Sequence, residues 1–120
     1  MSFSKFTEIK VWQKARKLSL FIYSKFQENK DFRFRDQIQS ASVSIMSNIA
    51  EGYGRNTNNE FRRFLEIAQG SSFEVESLLF LAKDLKYLKE SDAIFANNLI
   101  NEITKMNRSL INSLNSNPKS

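Results

Sequence analysis

Between Glu8 and Glu28 the apolar residues Val11, Ala15, Leu18, Ile22 and Phe26 recur at spacings of three and four, which predicts a helix over 8–28 with one buried stripe. The polar stretch "NKDFRF" breaks the period. From about Arg35 it resumes with smaller residues, Ile38, Ala41, Ser42, Ile45 and Ile49, so a second helix is expected over 35–51, narrow enough for neighbours to approach closely. Gly52 is expected to end it, as a glycine placed just past a helix terminus in the left-handed conformation. Thr57 followed three residues later by Glu60 is a capping-box signal that starts a third helix at Asn58. That helix is expected to reach Leu88, with Phe61, Phe64, Leu65, Ala68, Ser72, Val75, Leu79, Ala82 and Leu85 or Lys86 inward. Ser91 or Asp92 can cap a fourth over 92–114, where Ile94, Phe95, Leu99, Ile103, Met106 and Leu110 keep the period. Residues 115–120 read as a frayed tail. Four helices joined by short connections point to a single all-α domain over 1–120, an antiparallel up-and-down four-helix bundle.

Composition supports long helices and removes most reactive chemistry. There is one proline, Pro118, and only three glycines, so few residues interrupt helical runs. No cysteine and no histidine occur. Their absence excludes disulfides, thiolate sites, cysteine nucleophiles and the commonest general base and metal ligand. No cofactor or metal is expected, because no convergent cluster of carboxylate, lysine or tyrosine side chains is visible. An all-helical ribonuclease of the toxin type, with its R-x-x-x-x-H signature, needs a histidine the chain lacks. The N-terminus "MSFSKFTEIK" has no apolar signal-peptide core and no run approaches a membrane span, so a cytoplasmic protein without membrane association is expected. The net charge of +5 is uneven: residues 1–36 hold nine Lys/Arg against four Asp/Glu, and residues 37–120 hold nine against nine. A modest basic excess of this kind favours nucleic acid without requiring it.

The segment "NIAEGYGRNTNNEF", Asn48 to Phe61, tests for a phosphate loop. Gly52 and Gly54 follow a helix rather than a strand, no third glycine appears, and neither the Walker nor the dinucleotide spacing is met. The turn between two helices accounts for Gly52, Thr57 and Glu60 without a ligand. Together with "VWQKARKLSLFIY", "QIQSASVSIMSNIAEGYGR" and "EFRRFLEIAQGSSFEVES", the segment resembles the four-helix bundle family of 23S rRNA intervening-sequence, or S23-type, proteins, strongly from Phe6 to about Leu88. The resemblance implies a ring-like homo-oligomer, typically a pentamer. Some members are encoded inside an insertion in the large ribosomal RNA gene, and the fold is similar to that of a retroelement accessory protein that binds a reverse transcriptase and nucleic acid. It implies no enzymatic activity.

Three groups of residues are candidates for function. Lys10, Lys14, Lys17 and Lys25 fall within an arc of about 80° at 100° per residue, with Phe21 inside it, beside the apolar stripe. This ridge could follow a phosphate backbone while Phe21 stacks on a base, or it could be a solvated face whose lysine stems cover the core. On the third helix, Phe73 and Phe80 lie on one flank and Ile67 and Leu81 on the other, with Gly70 between them. An apolar outer face with a mid-helix glycine fits a subunit contact. Asn48, Glu51, Gly52, Arg55, Gly70 and Glu74 are the family-like motif. They read as structural, with a pocket in which Arg55 grips a phosphate as the competing reading; Glu51 and Glu74 could act as a pair only if the fold brought them together. Two functions follow: a non-catalytic oligomer associated with RNA or a ribonucleoprotein, or a protein-interaction scaffold that touches no nucleic acid.

Overall fold

The structure is a computed structural model that describes residues 3–115, the side chain of Asn115 excepted; of the tail expected over 115–120, Asn115 is the last residue of a helix and 116–120 lie outside the described residues. Four helices, α1 (Lys10–Phe26), α2 (Phe32–Tyr53), α3 (Asn58–Asp84) and α4 (Glu90–Asn115), follow a single 3-10 turn at Phe6–Glu8. The first helix therefore starts later than expected from periodicity. Ser4 closes on the Glu8 carboxylate, and the Gln13 side chain donates to the Thr7 carbonyl at 2.8 Å, so this segment has its own partners and need not be helical. Phe6 rests edge-on against Trp12 at 5.1 Å.

The second helix begins at Phe32 rather than Arg35. Asp31 accepts from the Phe34 amide at 3.2 Å, and the cap overrides the polar appearance of "NKDFRF". Its other end also differs from expectation. Gly52 is helical, the helix runs on to Tyr53, and no glycine has a positive φ. What requires glycine at 52 is proximity: a Cβ there would stand 2.7 Å from Phe64 Cβ and 3.2 Å from the Phe61 carbonyl oxygen. Thr57 caps α3 as expected, accepting from the Glu60 amide at 3.1 Å, while the Glu60 carboxylate accepts from the threonine hydroxyl at 3.4 Å.

The third helix stops at Asp84, four residues short of the expected Leu88, so Leu85 and Lys86 fall in the connection and are exposed instead of continuing the inward stripe. Lys86 takes φ 61°, Tyr87 N–H donates to the Ala82 carbonyl, and Lys86 N–H donates to that of Lys83. This is a Schellman closure with lysine in the place glycine usually occupies, which is why no glycine marked it. The fourth helix starts at Glu90. Ser91 and Asp92 therefore lie in its first turn instead of capping it.

The helices form a square rod, 48 × 21 × 20 Å. Each packs on its sequence neighbours and α1 on α4, while among the described residues neither diagonal pair, α1 with α3 or α2 with α4, brings Cα atoms within 8 Å of one another. The core is lined by Leu18, Ile22, Ile38, Ile45, Leu65, Val75, Ile100 and Ile103, all fully buried. On α4 the inward stripe is displaced from the expected one. Leu99 and Ile103 are buried as expected, but Ala93, Ala96, Ile100, Asn107 and Ile111 also face the core, whereas Ile94 and Phe95 are exposed and Met106 and Leu110 lie at its edge.

Small and polar residues set the helix spacing. Ser44 and Ser71 bond each other across α2 and α3 at 2.8 Å. Between α3 and α4 the buried Asn107 donates to the Leu65 carbonyl and to Gln69 Oε1, each at 2.9 Å, and Gln69 donates to the Thr104 carbonyl at 3.0 Å. Asn107 Oδ1 is buried without a partner among the described residues, as is Ser19 Oγ, for which the packing offers no account.

The Asp31 cap is tied to the α3–α4 connection at the same end of the rod by Tyr87, whose hydroxyl donates to Asp31 Oδ2 at 2.7 Å. That bond and the Phe34 amide hold the Asp31 carboxyl below its ordinary 3.8, and the same contact raises the Tyr87 hydroxyl above 10.0. A lowered carboxyl pKa contributes stability that is complete above the ordinary value and is lost as pH falls below it; the raised tyrosine contributes below 10.0 and loses its part as pH rises further. Tyr87→Phe is accordingly expected to melt lower than the wild type near neutrality and to lose less of its melting temperature between about pH 5 and about pH 3. Parallel acid limbs in thermal melts would mean that the contact does not form in solution.

Candidate functional site

The lysine ridge of α1 lies along its seam with α4, and the partners it meets there come from α4. Lys14 Nζ pairs with Glu102 at 3.1 Å and Lys25 Nζ with Asp92 at 3.1 Å. Phe21 is half-buried and packs on Phe95 with centroids 4.9 Å apart. Lys17 lies 5.6 Å from the Phe95 centroid and Lys25 5.7 Å from that of Phe21. The seam is thus a strip of alternating cations and aromatic rings in which two ammonium groups are matched by carboxylates. Lys10 and Lys17 have no ion pair among the described residues. Lys10 borders a groove floored by Ile9, Val11, Met106 and Leu110; Lys17 borders a smaller one with Phe95, Asn98 and Glu102.

The outer face of α3 carries Ile67, Phe73, Phe80 and Leu81, each between two-fifths and three-fifths exposed. Gly70 sits among them in open space, with nothing within 4 Å of where a Cβ would be. Nothing inside the chain asks for glycine here, in contrast to Gly52. Phe80 shares a groove with Ile94, Ala93 and Asn97 of α4. Two further apolar groups, Leu20 and Phe32, stand outside the α1–α2 hairpin at 64% and 58% exposure, near the exposed Tyr23.

The polar motif residues do not converge. Arg55 pairs with Glu51 at 3.6 Å, one helical turn away, and stacks over Phe64 at 4.8 Å. Asn48 turns back to its own helix, donating to the Ser44 carbonyl at 2.8 Å. Glu74 accepts from Gln37 at 3.3 Å. Gln37 and Glu51 are fourteen residues apart on α2, about 21 Å along the axis, so Glu74 and Glu51 sit near opposite ends of the α2–α3 seam. Among the described residues no group of three or more potential metal ligands is found. Among the described residues no helix is long and apolar enough to cross a membrane.

With this arrangement in view, the comparisons with known proteins are specific. The family model described as 23S rRNA-intervening sequence protein matches residues 7–109. The chain belongs to this family. A crystal structure of a protein of unknown function from the S23 ribosomal protein family of Bacteroides thetaiotaomicron VPI-5482 is similar, with a TM-score of 0.79, 28% identity, and coverage of 84% of this chain and 97% of that one. Comparison with the curated proteins gives no significant match. The intervening-sequence family is one of unknown function, so the reading of this member rests on the surfaces just described.

Sequence reasoning missed several of these groups. Phe95, Glu102 and Asp92 complete the lysine strip from another helix, and no local spacing announces them. Leu20 and Phe32 could have been found by asking which large apolar residues fall outside the stripes of the first two helices.

Proposed function

We propose that this intervening-sequence protein is a non-catalytic, self-assembling helical bundle that associates with RNA or a ribonucleoprotein through basic residues multiplied by assembly. The observation that carries the reading is the distribution of surface groups: large apolar side chains stand exposed on the rod, and the α1–α2 half holds eight Lys/Arg against four Asp/Glu while the α3–α4 half holds seven against eight. Exposed aromatic and aliphatic residues in this number favour a covered surface over a monomer's solvent face. A basic half repeated around an oligomer raises weak phosphate contacts to useful affinity by avidity. The chain has no histidine or cysteine, and its two perturbed titratable groups, Asp31 and Tyr87, belong to a helix cap. Self-assembly into a ring, with a pentamer as the expected form, is part of the proposal.

Lys10 and Lys17 are the side chains best placed for phosphate, since Lys14 and Lys25 are engaged with α4. Binding to generic single-stranded RNA is expected to weaken steeply with salt, and Lys10→Glu with Lys17→Glu is expected to lower the slope of log K against log salt by about 0.7 for each phosphate no longer neutralised. Absence of binding at low salt would favour a protein-interaction scaffold, the second reading, for which the exposed apolar groups alone would suffice.

A further inference from the structure

We infer that the α1–α4 strip selects unpaired RNA, a base stacking on the exposed ring of Phe95. The inference rests on the RNA association proposed above and adds the class of RNA and the residue that senses it. The α1 pattern points to Phe21 as the stacking residue, but in the fold that ring is half-buried. Phe95 packs against it with centroids 4.9 Å apart and keeps 40% of its own surface open. Backed by a second ring, Phe95 is a supported platform rather than a loose side chain. The groove beside it has Lys17 on the α1 side, Asn98 and Glu102 on the α4 side, and the buried Leu99 between. Lys17 Nζ, 5.6 Å from the ring centroid, sets a cation next to the platform. Asn98 is exposed, and its amide carries both a donor and an acceptor for the edge of a base.

Charge along the strip suits a polynucleotide. Lys105 of α4 joins the four lysines of α1 there, because residues 98, 102, 105 and 109 share one helical stripe, with Asn98 and Glu102 beside Lys17 and Ser109 beside Lys10. The carboxylates of the strip, Asp92 and Glu102, are both paired with its lysines; Glu8 and Glu28 lie beyond the two ends of α1. Lys10, Lys17 and Lys105 have no ion pair among the described residues and are left for phosphate. Lys10 and Lys17 stand about 10 Å apart along the axis, and Phe95, held by Phe21, follows between Lys17 and Lys25. A strand laid along the seam therefore meets cations and then a ring. Duplex RNA meets only the cations, since its bases are stacked on one another and its deep groove does not admit side chains. An unpaired base offers an open face, and any base does so, which makes the site indifferent to sequence.

Phe95→Ala and Phe95→Trp test the site against a short oligouridylate and a blunt RNA duplex, with helicity by circular dichroism as the folding control. Phe95→Ala is expected to weaken oligouridylate binding by about five- to hundredfold. Its duplex binding and its slope of log K against log salt are expected to stay at wild-type values, because no phosphate contact is lost. Phe95→Trp is expected to bind the oligouridylate at least as tightly as the wild type. Its added indole emission is expected to be quenched on binding, while the emission of the buried Trp12, read in the wild type, is unchanged. Wild-type affinity of Phe95→Ala for the oligouridylate, or an equal loss with both RNAs, would overturn the stacking site while leaving RNA association in place. An unquenched indole in Phe95→Trp would overturn it too. A wild type that binds neither RNA would remove the RNA reading itself, and this site with it.

Discussion

Replacing Gly52 by valine is expected to destabilise the protein by about 2–3 kcal/mol, and by alanine about half as much, read as a lowered urea midpoint. The cause is steric and located on a second helix. An added Cβ meets Phe64 Cβ at 2.7 Å, Phe61 Cδ1 at 3.0 Å and the Phe61 carbonyl oxygen at 3.2 Å. The Phe61 ring can swing aside, but a Cβ and a carbonyl move only with their backbone, so α3 must shift against α2. Alanine recovers about 1 kcal/mol through its better helix propensity; valine recovers less and adds two methyl groups. Gly70 supplies the contrast, because its surroundings are open. In the isolated subunit Gly70→Ala is expected to gain about 1 kcal/mol and raise the melting temperature by about 4 °C. Equal responses at the two glycines would show that the close approach at Gly52 is absent.

The same two residues show how far the sequence could be read. Gly52 was visible as an unusual residue at the end of a helical pattern, and glycine there has two physical explanations, left-handed backbone or lack of room. Only the position of Phe61 and Phe64 on the next helix separates them. Four helices and their antiparallel order were legible because three long apolar stripes have the 3.6-residue period and Thr57 caps one of them. The fourth stripe was misplaced because the largest apolar residues, Ile94 and Phe95, drew the reading to the wrong phase, while small Ala93 and Ala96 and polar Asn107 fill the core side. Hydrophobic patterning weighs side chains by size, whereas burial in a narrow seam favours those that fit.

The candidate residues were legible as types more than as neighbours. The arc of lysines follows from one helix, yet what each lysine meets is set by α4: Glu102 neutralises Lys14, Asp92 neutralises Lys25, and Phe95 covers Phe21. Partners so far away in sequence leave no local spacing to detect. Glu51 and Glu74 illustrate the reverse case, two carboxylates in one motif that the rod holds far apart along its axis.

The buried amides between α3 and α4 carry the second large effect. Asn107→Leu is expected to cost about 1–3 kcal/mol, although leucine resembles asparagine in size and belongs in a core, because it strands Gln69 Oε1 in the interior. Gln69→Leu alone is expected to be costly for the matching reason, leaving the Asn107 amide one acceptor short and adding to the Oδ1 that is already unpaired. Joining the two changes removes both halves of the bond together. The double leucine variant is therefore expected to be at least about 1 kcal/mol more stable than the sum of the two single destabilisations predicts. Stability here does not require the amides; mutual satisfaction does, since a polar group in this seam is tolerable only while the other is present. Denaturant titration of the four proteins in the cycle decides the point. Strictly additive destabilisation would mean that Asn107 and Gln69 are not bonded in solution and that the axial match of α4 to α3 is set by the apolar residues around them.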